Sequence, residues 1–115
     1  MKDCIFCKII NKEIPSKIVY EDDTILVFED INPQAPQHLL AITKHHYNDF
    51  ISMVNECYKD DINSLFKGVA KTVINKGLDR NGFRLVVNNG REAGQAVDHI
   101  HIHILSGRKM NWPPG

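Results

Sequence analysis

The chain has 115 residues, with 14 Lys and Arg set against 14 Asp and Glu, so its formal net charge is zero. That length supports one domain over residues 1–115 with a real core. The balanced charge excludes a nucleic acid as main partner, and no apolar run is long enough to span a bilayer.

Met1-Lys2-Asp3-Cys4-Ile5-Phe6-Cys7 lacks a signal-peptide core, so the expected compartment is the cytoplasm. Three cysteines in that compartment argue against a disulfide framework. The chain then divides as follows. Residues 4–11 predict a short helical turn whose Ile5, Phe6, Ile9 and Ile10 supply apolar contacts, closed off by Pro15. Residues 17–21 read as a strand, Asp22-Asp23 as a turn, and 24–29 as the hairpin partner. The loop 30–37 carries Pro33 and Pro36, which exclude regular strand, and 38–43 form a third strand. After a break at 44–49, the period becomes helical from about 56 to 76. Ile62, Leu65, Phe66, Val69, Ala70, Val73 and Ile74 mark its inner face, and Gly77 is a natural residue just past its end. Cys57, near the start of that helix, reads as structural. A fourth strand spans 83–88, a glycine-bearing loop 89–96, and an irregular tail 107–115.

The fifth strand, 98–105, is the most informative stretch. His99, His101 and His103 alternate with Ile100, Ile102 and Ile104, so on a strand the imidazoles share one face and the isoleucines the other. That face has three readings: a polar surface, a metal site, or a catalytic imidazole that is both nucleophile and proton carrier near neutral pH. Five strands, mostly adjacent in order, with one long helix and a short N-terminal one imply an α+β fold built on an antiparallel sheet.

Two other motifs leave alternatives open. Cys4-x-x-Cys7 supplies half of a zinc shell, with His45, His46 and the triad histidines as candidates for the rest; a redox pair and two buried thiols compete with it. Gly90 and Gly94, ahead of the histidines, would let backbone N–H groups approach an anion, or simply make a flexible loop.

His99-Ile100-His101-Ile102-His103-Ile104-Leu105 resembles the histidine-triad (HIT) signature. The likeness runs through Ile5-Phe6 with Lys8-Ile9, residues 28–36, His38-Leu39-Leu40, Val86-Val87-Asn88, Gly94-Gln95 and Trp112-Pro113-Pro114-Gly115. The last segment resembles the Hint branch, the histidine triad nucleotide-binding proteins. The resemblance implies a HIT-like fold and a purine nucleotide site. In it His101 is the nucleophile that forms a nucleotidyl-histidine, while His103 and His38 contact phosphate or move protons. Asn88, Gln95 and the backbone of Gly94, Ala96 and Val97 cradle the phosphate, and Asp30 takes the ribose hydroxyls. Phe6, Ile9, Ile14, Phe28 and Ile31 wall the base. Trp112 lies in a tail, 107–115, that reaches the partner's active site in a homodimer.

The chain departs from the family pattern twice. Ala96 stands where relatives carry a serine that helps protonate the leaving amine, so hydrolysis is slower here or His103 or water serves instead. The cysteine pair resembles that of bacterial relatives, which implies a structural zinc on Cys4, Cys7, His46 and His99, with His46 preferred to His45 at the Lys-x-His position. The implied activity is hydrolysis of purine nucleoside phosphoramidates to AMP or GMP and an amine. The alternatives are a nucleotide-binding or scaffolding protein with incidental turnover and, more weakly, a zinc-dependent interaction module. Nucleotidyl transfer is disfavoured because His103 stands where uridylyltransferases carry glutamine.

Overall fold

The computed structural model describes residues 3–115. Among them the helices are α1 (Ile5–Ile10), α2 (Phe50–Glu56) and α3 (Asp61–Asn75). The strands are β1 (Ile18–Glu21), β2 (Ile25–Glu29), β3 (Gln37–Thr43), β4 (Phe83–Val86) and β5 (His101–Ser106). They form one five-stranded sheet in the order β1-β2-β3-β5-β4, with antiparallel pairing at every interface. This is the α+β architecture expected. No helix among the described residues is long and apolar enough to cross a membrane.

The helical part differs from expectation. Instead of one long helix from 56, a first helix ends near Cys57 and a second begins at Asp61. Asp49 starts α2 by accepting the Ser52 N–H at 2.8 Å. Tyr47 then holds the break open: its hydroxyl accepts the Tyr58 N–H at 2.8 Å and donates to the buried Asp61 carboxylate at 2.7 Å. Helix α3 ends as its glycine predicts. Gly77 (φ 71°) and Leu78 donate to the carbonyls of Ile74 and Val73, a Schellman closure. Its buried face is Leu65, Gly68, Val69, Thr72 and Val73, whereas Phe66 and Ile74 are exposed. Gly68 lies so close to Ile25 that a Cβ there would clash with the Ile25 side chain, which seats α3 directly on β2.

The sheet has two differently furnished faces. Ile100, Ile102 and Ile104 join Ile25, Val27, Leu39, Ala41 and the α3 residues in the larger core. On the other face Leu26, Phe28, Leu40 and Ile42 pack with Phe6 and Ile9 of α1. Pairing of His38 with Leu105, Leu40 with His103 and Ile42 with His101 places the histidines on this second face, under α1. His99 is a correction to the strand reading. It lies in a bend before β5, and the following Ile100 N–H is taken by the Tyr47 carbonyl at 2.8 Å.

Candidate functional site

α1 delivers Cys4 and Cys7 to the histidine face. Cys4 is the residue that caps this helix: its sulfur accepts the Cys7 N–H at 3.3 Å, which holds the two thiols side by side. Cys4 Sγ lies 3.3 Å from His99 Nδ1, Cys7 Sγ 3.6 Å from the same nitrogen, and Cys7 Sγ 3.3 Å from His46 Nδ1. The four ligand atoms lie within 4.8 Å of one another and could hold a metal ion. A tetrahedral zinc shell with bonds of about 2.3 Å to sulfur and about 2.0 Å to nitrogen has S···N edges of about 3.5 Å. The observed separations match that shell.

The outer nitrogens support the same reading. His99 Nε2–H donates to the Thr43 carbonyl at 2.7 Å, and His46 Nε2–H donates to Asn48 Oδ1 at 2.8 Å. Since a carbonyl can only accept, both neutral rings keep their Nδ1 lone pairs for the thiol side. Burial pushes His99 down to about 4, which keeps it uncharged. Burial, followed by the hydrogen bond with Cys4, pushes the Cys7 thiol up to about 11, so thiolate there requires a nearby cation. His45 is turned away, stacked on Tyr58 with ring centroids 5.1 Å apart.

Next along β5, His101 Nδ1–H donates to the His99 carbonyl at 2.7 Å. That bond fixes the tautomer, so Nε2 carries the lone pair. Burial lowers the pKa of His101, which keeps the ring neutral, and Phe6 meets it edge-on at 5.2 Å. A buried, neutral, oriented imidazole is a nucleophile toward phosphorus.

Asp30, His38 and His103 make a second group of metal-type residues, also within 4.8 Å of one another. His38 Nε2 is 2.9 Å from His103 Nδ1 and 3.4 Å from Asp30 Oδ2. Here the outer hydrogen bond has the opposite sense. The Gln34 N–H donates to His38 Nδ1 at 3.0 Å, so neutral His38 must carry its hydrogen on Nε2. That nitrogen is a donor to His103 and Asp30 and has no lone pair for a metal. His103 Nδ1 accepts it, which leaves Nε2–H as the donor His103 offers. Burial, then His101 and His38, push His103 down to about 4.

The glycine loop is closed on itself. Gln95 Oε1 accepts the Gly90 N–H, and Gln95 Nε2 donates to the carbonyls of Asn48 and Val97. Its side chain therefore shapes the loop, and positive φ at Gly90 and Gly94 makes the turns. Cys4, His46, Asn48, Ala96, Val97 and Asp98 line a cavity of about 460 Å³ that joins this loop to the metal-type quartet. Phe6, Ile9, Phe28 and Ile14 gather in one apolar cluster with Val97 beside it. Ile31 does not join them: it is 96% exposed. Trp112 is 82% exposed in this chain, and Asn88 is half-buried two residues beyond β4. Sequence reasoning missed Gln34, Thr43 and Asn48, which set the imidazole tautomers, two of them through backbone groups alone.

Fold and site together define an α+β protein built around a sheet-borne histidine cluster beside a two-cysteine, two-histidine metal-type quartet. The HIT domain pattern matches residues 11–110, and the chain belongs to the HIT family. It is 47% identical to the "14 kDa zinc-binding protein" of Brassica juncea over 98% of this chain and 100% of that one. Among solved structures it is similar to a HIT family hydrolase from Legionella pneumophila, with 46% identity, TM-score 0.85, and 98% and 100% of the chains covered. It also resembles a histidine triad nucleotide-binding protein from Candida albicans, with 36% identity, TM-score 0.83, and 96% and 83% covered. The chain thus has the fold shared by HIT hydrolases and nucleotide-binding proteins.

Proposed function

We propose that the protein is a cytoplasmic hydrolase of purine nucleoside phosphoramidates, releasing AMP or GMP and an amine through a nucleotidyl-His101 intermediate. The observation that carries this reading is the 2.7 Å bond from His101 Nδ1–H to the His99 carbonyl, which leaves the lone pair of a neutral ring on Nε2. Phe6, Ile9, Ile14 and Phe28 receive the base, Asp30 the ribose, and the backbone of Gly94, Gln95, Ala96 and Val97, with Asn88, the phosphate. Zinc on Cys4, Cys7, His46 and His99 closes a four-ligand shell, so its contribution is structural. It holds α1 and the bend at His99, and through the His99 carbonyl the orientation of His101. A homodimer completes the assembly. β4 is an open sheet edge with Phe83 and Leu85 part-exposed and Val87 just beyond it, a surface that invites pairing with a second strand. The exposed Trp112 tail then reaches the partner's site.

The test is adenosine phosphoramidate, with AMP release followed for wild type and His101→Ala. Wild type turns over, and the variant loses at least about 1,000-fold in kcat, on the order of what losing a nucleophile costs, while still binding AMP. Wild type that binds AMP without any turnover would establish the binding-protein reading in its place.

A further inference from the structure

A cavity of about 740 Å³ lies where β5 leaves the sheet, at the opposite end of that strand from the metal-type quartet. We propose that it is a second ligand site, for a small phosphate monoester whose organic part is apolar or aromatic. This goes beyond the phosphoramidase reading and does not depend on it.

The topology makes the cavity. Ser106 pairs with Gln37 on one side and Phe83 on the other, so the ends of three strands meet at this corner of the sheet. The turn that leaves α3 at Gly77 and Leu78 arrives at the same corner through Asn81 and Gly82, and all of these residues line the cavity. The Ser106 hydroxyl donates to the Gly82 carbonyl at 2.9 Å, which pins the turn to the strand. Gly82 has φ 104°, and a Cβ there would meet nothing within 4 Å, so the space beside it is open. A volume of this size suits a small molecule.

Its lining carries charge of one sign. Arg84, Arg108 and Lys109 line it and no Asp or Glu does, in a chain whose charges balance overall. Arg80 stands at the same wall: a Cβ on Gly77 would lie 3.7 Å from its Nε. The ion pairs among the described residues involve Lys12, Lys44 and His38, and none of these four cations. Arg84 is half-buried in β4, where a guanidinium without a carboxylate gains more from a bound anion than a fully solvated one does. Arg108 is held in place by carbonyls, donating to Lys109 at 3.2 Å and to Gln34 at 3.1 Å. Those bonds fix the guanidinium and leave it further N–H donors for a ligand.

The number of cations selects the anion. A carboxylate neutralises one of them, whereas a phosphate monoester brings about two charges and three oxygens at neutral pH, which suits guanidinium forks. Leu78, Phe83 and Met110 give the wall an apolar part, against which the organic portion packs. Phe83 and Arg84 also belong to the β4 edge proposed above for pairing, so a second copy would border the cavity. Binding is therefore measured on the protein in its native assembly.

Amide NMR with phenyl phosphate as the probe tests this, at constant ionic strength. The Gly82, Phe83, Gly107 and Lys109 amides shift together and saturate with a Kd below about 1 mM, as a few charge-assisted hydrogen bonds allow. Benzoate, with one charge, binds there at least about tenfold more weakly, on the order of one lost hydrogen bond to a charged group. Arg84→Gln and Lys109→Gln each weaken phenyl phosphate by about the same factor. Lys109 is exposed in the tail, so its variant decides the matter if Arg84→Gln does not fold. His101→Ala binds the probe at this cavity as wild type does. Shifts confined to the glycine loop, equal affinity for benzoate, or a Kd unchanged in Lys109→Gln overturns the proposal and leaves the phosphoramidase reading standing. Failure of wild type to turn over adenosine phosphoramidate removes that reading and leaves this cavity untouched.

Discussion

Two clusters of metal-type side chains lie on one face of the same sheet, and they differ in what stands behind their imidazoles. Behind His99 and His46 are acceptors, the Thr43 carbonyl and Asn48 Oδ1, so the inner nitrogens keep lone pairs. Behind His38 is a donor, the Gln34 N–H, so the inner nitrogen keeps a hydrogen. Composition does not separate a metal centre from a proton relay here; the sense of one hydrogen bond per ring does. His101 belongs between them, with a carbonyl behind it and a bare nitrogen in front. Its ring meets that of His103 edge-on with centroids 5.0 Å apart, and the His99 carbonyl joins it to the quartet.

The sharpest way to break this contrast is to count metal. Protein purified without added zinc carries about one zinc per chain, as expected of a closed four-ligand site, and none at the Asp30 group. Cys4→Ser loses that zinc. Because a tight ligand at about 1,000 times its dissociation constant adds about 4 kcal/mol, the Tm falls by at least about 10 °C in thermal unfolding. A second zinc retained in Cys4→Ser would erase the distinction between the clusters. A smaller effect comes from removing the acceptor behind one ligand. Asn48→Ala leaves His46 free to turn and lowers zinc affinity by about 10- to 100-fold in competition with a chelator. The Asn48 carbonyl still holds Gln95, so the loop stays formed.

How much of this was legible in the sequence depends on whether the signal was a side chain at a spacing or a contact made elsewhere. The alternation of His and Ile marked the two sheet faces, because strand geometry needs nothing else to separate them. Cys4 and Cys7, one helical turn apart, pointed at a metal shell for the same local reason. The break between α2 and α3 was not legible: the Tyr47 hydroxyl reaches 11 residues forward to the Tyr58 N–H and 14 to Asp61. A pattern of apolar residues cannot announce that contact. Nor could it show that Phe66 and Ile74, in register with the buried stripe, would end outside it. The groups behind the imidazoles were the least legible. The Thr43 carbonyl is a group every residue possesses and the Gln34 N–H one that every residue but proline possesses, so no residue type signals their role.

The gentlest test of the contrast is acid. His103, pushed down to about 4 when folded against an ordinary 6.5, binds fewer protons folded than unfolded between those values. Its contribution to stability is therefore complete above pH 6.5 and is lost as pH falls toward 4. His99 shares this direction, but zinc release accompanies its protonation, so only a difference between variants isolates His103. From pH 7.5 to 5, the Tm of wild type falls further than that of His103→Gln. Equal falls for both proteins would mean that burial of a neutral His103 contributes nothing to the acid sensitivity.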